Sequence, residues 1–378
     1  MKTVKIVCCP DSFKESMTAA EASSALAEGV RAVAPNVDVV EVPMADGGEG
    51  FAQSLSDALH ARVMSVTVAG TQGQKVQADL AVAGERAIID AASAVGIGQF
   101  PPQQRNIRAS DTFGLGELIL SALDEGAREI LVGLGGSGTN DGGAGMLRAL
   151  GARFYDDGGK PIGTTPAQLA SIASIDMGGL DARLKDVSFR VACDVDNPLL
   201  GPRGASAIYG PQKGASEEDV AFLDGVLARF AEVSGLSNQQ DIPGAGAAGG
   251  LGFAFLAFLG ASLESGVDLV METVELREKI RGASFIFTGE GAMDRQTLMG
   301  KTLSGISRIA REEGNIPIIA FAGKLGEGVE ELYRHGFISL VPIVDKPCTL
   351  NDALRDGYAN LMNASERVMR LITAVRSL

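Results

Sequence analysis

The densest group of residues able to do chemistry lies in residues 131–146, LVGLGGSGTNDGGAGM. Ser137, Thr139, Asn140 and Asp141 offer hydroxyl, amide and carboxylate groups among Gly133, Gly135, Gly136 and Gly138. Glycine has no Cβ, so backbone N–H groups can come close to a ligand. The segment follows an apolar run, Ile130-Leu131-Val132, and leads into a helical pattern from about Asp141 to Leu150. The first amides of a helix lack internal partners and carry partial positive charge. Strand, glycine turn and helix start, in that order, can hold a phosphate. Residues 133–138 fit G-x-G-x-x-G, but so do residues 244–249, and a chain with 49 glycines meets that pattern by chance. On the motif alone, phosphate binding and a tight turn packed against a sheet fit equally.

Four further groups carry reactive side chains. Residues 288–297, TGEGAMDRQT, follow an apolar strand, and Gly300-Lys301-Thr302 opens a helix. Arg295 stands where a phosphate loop needs glycine. Lys301 could still serve as a phosphate cation, Thr302 could sit near a metal, and Asp294 could be a metal ligand or base. A helix start with a surface lysine is the plainer alternative, and the Asp294-Arg295 pair at a strand end favours function. Asp194-Val195-Asp196-Asn197 also follows a strand. Alternate residues of an extended chain point the same way, so the two carboxylates could bind a metal or act as base and ligand. An Asx-type turn before Pro198 explains the same residues. Asp46-Gly47-Gly48-Glu49 offers two carboxylates among glycines, or acids at a helix start. Asp11-Ser12-Phe13-Lys14 offers a hydroxyl and a cation for an anion, or an ordinary loop. Residues 210–214, GPQKG, read as a turn from which Lys213 could reach a phosphate. The two histidines, His60 and His335, sit near the ends of helical segments and away from any nucleophile, which leaves proton transfer to carboxylates and lysines.

The elements that must position these groups alternate strand and helix at both ends of the chain. Residues 4–9 and 37–42 are short apolar runs, each followed by polar residues and a helix; Thr18 and Glu21 form a capping box at the first helix. Residues 285–287, 316–321 and 338–344 repeat this rhythm, and a second capping box, Thr349 with Asp352, opens the last helix. Such repeats predict a parallel sheet with ligands beyond the carboxyl ends of its strands. Between them, residues 63–68, 77–83 and 86–90 read as an antiparallel meander, followed by a helix over 112–124, a strand over 189–193 and a long helix opened by Ser216. The pattern predicts two α/β domains: a doubly wound, Rossmann-like parallel-sheet domain of residues 1–62 and 284–378, and a mixed α/β domain of residues 63–283 inserted in it.

The charge balance of 33 basic against 47 acidic residues, −14 net, argues against a nucleic-acid or acidic-membrane partner. An anionic substrate would then need local cations such as Lys14, Arg295 and Lys301. Cys8, Cys9, Cys193 and Cys348 form no C-x-x-C and no disulfide framework, so buried thiols in a reducing cytoplasm are expected. Residues 243–263 carry no charge, but their dense apolar part, 251–261, is too short to span a bilayer and reads as a buried helix.

Taken together, PDSFKESMTA, PMADGGEG, GLGGSGTNDGGAGM, CDVDNPLLGPRGA, YGPQKGA and FTGEGAMDRQTLMGKT resemble the bacterial glycerate kinases of the type-1 family, from the N-terminus through the last helix. The resemblance implies ATP- and Mg²⁺-dependent phosphorylation of D-glycerate, at the 2-hydroxyl with the 3-position as the alternative, in a site between two α/β domains. Chemistry then assigns roles. Gly135, Gly136, Ser137, Gly138 and Thr139 would cradle ATP phosphates, with Lys301 assisting. Asp46, Glu49 and Asp294 would bind Mg²⁺. Ser12, Lys14 and Arg295 would hold the glycerate carboxylate. Asp194 is the first choice to orient or deprotonate the attacking hydroxyl, with Asp294 second. A homo-oligomer stays open. Two other enzymes compete: a haloacid dehalogenase-like phosphatase with Asp194 as nucleophile, although Pro198 takes the Thr position of D-x-D-x-[TV], and an NAD-dependent oxidoreductase. A sugar-acid sensor without catalysis is the third alternative.

Overall fold

The computed structural model describes residues 4–45, 50–298 and 302–376. The chain divides into two compact units: Met1–Asp46, Gln53–His60 and Val267–Leu378 form the first, and Gly47–Ala52 with Ala61–Gly266 the second.

The first unit is built on a five-stranded sheet in the order Phe337–Pro342, Ile318–Leu325, Phe285–Met293, Lys5–Cys8, Asp38–Glu41, with every pair parallel. Strand order therefore reverses beside Lys5–Cys8, the doubly wound arrangement whose crevice lies at the carboxyl ends of the strands flanking that reversal. Ile6, Cys8, Phe287 and Phe321 are buried with Leu26 and Val30 from the helix Ala19–Val33. That helix starts at the expected box, with Thr18 capping the Glu21 amide and Glu21 returning a bond to the Thr18 amide. It packs so closely on the helix Gly357–Arg376 that a Cβ at Gly29 would lie 2.4 Å from the Met362 carbonyl oxygen. Ser365 Oγ donates to the Leu26 carbonyl across the same contact at 2.7 Å.

Two expectations for this unit are corrected. The strand expected over 285–287 runs on to Met293, in register with Ile318–Leu325 as far as Met293 opposite Leu325. Gly289 allows the close approach of the neighbouring strand, where a Cβ would lie 2.4 Å from the Phe321 carbonyl oxygen, and only Asp294 begins a turn. The last helix is two: Leu350–Arg355, capped by Thr349, and then Gly357–Arg376.

The second unit carries a six-stranded mixed sheet in the order Ser262–Glu264, Ser188–Ala192, Glu129–Gly133, Arg86–Asp90, Lys75–Ala83, Arg62–Ala69. The last three form the expected antiparallel meander, and the first four are parallel. The pair Arg153–Tyr155 and Ser174–Asp176 forms a separate two-stranded sheet that periodicity did not reveal, each strand being only three residues long. The uncharged stretch is the helix Ala247–Leu259. Its Leu251, Phe253 and Phe255 are wholly buried, which explains an apolar sequence on every face. Phe230 of the helix Glu217–Ser234 stacks on Phe258 at 5.7 Å between centroids. Among the described residues, no helix is long and apolar enough to cross a membrane.

Candidate active site

The glycine segment that follows the strand Glu129–Gly133 lines a cavity of about 380 Å³ in the second unit. Gly135, Gly136, Ser137, Asp194 and Lys213 supply its polar groups; Ile97, Val195, Ala247 and Ala248 are among its apolar walls. The loop is pinned from behind. Ile97 N–H donates to the Gly136 carbonyl at 2.8 Å, and Gly138 N–H donates to the Val95 carbonyl at 2.8 Å. Gly136 has φ of 72°, a conformation that favours glycine. Gly135 and Gly136 form a turn, and their N–H groups have no acceptor among the described residues. Adjacent donors without partners on a cavity wall suit an anion.

Lys213 ends the short turn Pro211–Lys213, which Arg105 holds by donating from Nη1 to the Gln212 carbonyl at 2.7 Å. Its side chain is buried, at 2% exposure. Nζ donates to Ser137 Oγ at 3.0 Å and to the Thr139 carbonyl at 2.7 Å. Burial pushes its pKa down to about 7, against the pull of the Asp141 charge. Asp194 stands just past the strand Ser188–Ala192, and its carboxylate accepts the Gly266 N–H at 2.9 Å. Asp196 is not beside it in the cavity: it pairs with Arg203 at 3.2 Å on the surface. The neighbouring Cys193 is half-buried, and burial raises its thiol pKa. Cys8 and Cys9 are buried as expected, whereas Cys348 is exposed.

The helix start behind the loop is not open to a ligand. The helix begins only at Ala144 and has six residues, Ala144–Ala149. Asp141, wholly buried, already accepts from its first amides, Gly143 N–H at 3.2 Å and Gly145 N–H at 2.9 Å. The same carboxylate accepts from Thr112 N–H at 2.9 Å and Thr112 Oγ1 at 2.7 Å, at the start of the helix Phe113–Asp124. Asp141 therefore ties two helix starts together instead of facing a phosphate or metal. The sequence Asp-Gly-Gly-Ala ahead of a helix is itself a capping signal. Gly138 and Thr139 stand behind the cavity wall, where Thr139 acts through the carbonyl that holds Lys213. Thr139 Oγ1 and Asn140 Nδ2 are buried without a partner among the described residues.

A second polar cluster lies in the first unit, at the carboxyl ends of Lys5–Cys8 and Phe285–Met293, where the strand order reverses. Asp11 N–H donates to the Gly289 carbonyl at 2.8 Å. Its carboxylate accepts from Ser12 N–H at 2.6 Å and Thr302 Oγ1 at 2.6 Å. Thr297 Oγ1 donates to Glu290 at 2.7 Å. Asp294 accepts from Gln296 N–H at 2.7 Å and so opens the turn Arg295–Leu298. Lys14 and Arg295 are exposed in the same unit. Asp46, Glu49 and Lys301 lie outside the described residues. No group of three His, Cys, Asp or Glu among the described residues forms a metal cage. Mg²⁺ commonly needs only one or two carboxylates beside phosphate oxygens and water, which this donor set can meet.

A sequence model described as the glycerate kinase family matches residues 6–373. The chain is 44% identical over 368 residues to a glycerate kinase of Halalkalibacterium halodurans, with 96% of this chain and 97% of that protein covered. It is 42% identical to the glycerate 2-kinase of Escherichia coli K12, with 97% of each covered. In three dimensions it is similar to the crystal structure of a protein assigned as glycerate kinase 2 from Salmonella typhimurium LT2, with a TM-score of 0.91, 40% identity and 100% of both chains covered.

Proposed function

Because this chain belongs to the glycerate kinase family, an enzyme family of phosphotransferases, we propose that it moves the γ-phosphoryl group of ATP to the 2-hydroxyl of D-glycerate, yielding ADP and 2-phosphoglycerate. The E. coli relative's name, glycerate 2-kinase, supports the position. The observation that carries the nucleotide assignment is the cavity wall of the 135–137 loop, whose Gly135 and Gly136 amides are unpaired among the described residues, beside a buried lysine. Phosphoryl transfer requires positioning and charge neutralisation more than covalent chemistry. The loop amides would bind phosphate oxygens, and the apolar wall of Ile97, Ala247 and Ala248 would exclude water.

Asp194 would accept the proton of the attacking hydroxyl, whose oxygen bonds to the γ-phosphorus as the bond to the ADP oxygen breaks. Asp294 remains the second choice for that base. Ser12, Lys14 and Arg295 are assigned to the substrate carboxylate by their chemistry. Mg²⁺ would neutralise phosphate charge when bound, with Asp46, Glu49 and Asp294 as its proposed ligands. No relative named above is a phosphatase or an oxidoreductase, and neither reading is carried forward.

A coupled assay of ADP release with D-glycerate and Mg·ATP, followed by phosphorus NMR of the product, tests this reading. ADP release that depends on D-glycerate, with the new phosphate on C2, is expected. Phosphate on C3 would overturn the position, and no glycerate-dependent ADP would overturn the activity.

A further inference from the structure

The proposed nucleotide site contains a buried cation beside the glycine loop. Lys213 lines the cavity, yet its side chain is 2% exposed. A buried ammonium needs three acceptors, and two are in place: Ser137 Oγ at 3.0 Å and the Thr139 carbonyl at 2.7 Å. Both come from the loop that lines the cavity. The third N–H has no acceptor among the described residues. The turn that carries the lysine is fixed by Arg105, and Gly214, with φ of 95°, closes it against the Arg105 backbone. A long side chain held this rigidly loses little entropy when it meets a ligand.

We propose that Lys213 contacts the phosphate oxygens of the bound nucleotide, and that it takes a proton from solvent as the nucleotide enters. The claim rests on the reading of this cavity as the nucleotide site.

The surroundings explain the proton. Facing Lys213 from the loop are Ser137, the Thr139 carbonyl and, behind them, Asp141. From the end of the strand Ser188–Ala192 come Cys193 and Asp194, and from the helix Ala205–Tyr209 comes Tyr209. Arg105, which follows the short helix Pro102–Gln104, packs against the turn. Burial outweighs the Asp141 charge and lowers the lysine to about 7. A phosphate anion at the third N–H favours the charged form and raises it again. At pH 8 most Lys213 is neutral before binding and charged after it, so binding takes up about one proton.

Calorimetry of Mg·AMP-PNP binding at pH 8, in two buffers of different ionisation enthalpy, tests this. Wild type is expected to take up about one proton. Lys213→Met, a near-isostere for a buried site, should abolish the uptake and weaken binding roughly 10- to 100-fold, the loss of one charge-assisted hydrogen bond. Nucleotide binding to wild type without proton uptake, or K213M binding as wild type does, would overturn the inference while leaving the nucleotide reading intact. No binding to wild type would overturn both. If K213M does not fold, the wild-type uptake alone decides.

Discussion

Asp194→Asn lowers kcat by about 10²- to 10⁴-fold, the usual contribution of a positioned general base, and leaves stability within about 0.5 kcal/mol. Asparagine has the same size, and its amide oxygen can keep the bond from Gly266 N–H that the carboxylate accepts at 2.9 Å. Only the basic lone pair and the charge are lost. Asp194 lines the cavity and is exposed. Asp196→Asn is the matched control. It removes a surface pair with Arg203 outside the cavity and should leave turnover near wild type. Steady-state kinetics with thermal melts of both variants decide the matter. Near-normal turnover in D194N would transfer the role to Asp294 and its unit.

Asp141→Ala is expected to lower folding stability by about 3–5 kcal/mol, the cost of breaking a buried charged network. Four donors converge on this carboxylate: Thr112 N–H, Thr112 Oγ1, Gly143 N–H and Gly145 N–H. Truncation leaves them buried without an acceptor. The effect depends on pH with a definite sign. Burial and the nearby Asp111 charge raise Asp141 from 3.8 to about 6. Between those values the folded chain holds more proton than the unfolded one. The titration therefore stabilises the wild type fully below about 4, and that contribution is lost as pH rises through 6. Urea midpoints of wild type and D141A should lie further apart at pH 4.5 than at pH 7. A gap that is constant, or that widens towards pH 7, would contradict the assignment.

Much of the fold was legible because its signals are local. The short β-rich runs at residues 4–9 and 37–42 became parallel strands, and the capping box at Thr18 closed as the spacing required. The family resemblance rested on six motifs spread along the chain, and the match over residues 6–373 bears it out. What sequence reading missed depends on partners far along the chain. Gly289 and Gly291 look like turn residues, but pairing with Ile318–Leu325 keeps them in a strand. The turn at 210–214 marked Lys213 as able to reach a phosphate, but its burial depends on acceptors 74 and 76 positions away. Asp141 looks like a ligand-binding acid until Thr112, 29 positions earlier, claims its oxygens. The glycine pattern at 244–249 gives no second nucleotide turn: Ala248, Gly249 and Gly250 are left-handed, and Gly249 abuts the Thr139 backbone.

Backbone amides of the 135–137 loop, with Lys213 beside them, are proposed to grip the phosphates of the nucleotide. A crystal structure with Mg·AMP-PNP tests it most directly. Phosphate oxygens are expected within about 3 Å of the Gly135 and Gly136 nitrogens and of Lys213 Nζ. Phosphates seated instead at Asp11, Ser12 and Thr302, with the loop amides facing only water, would contradict it.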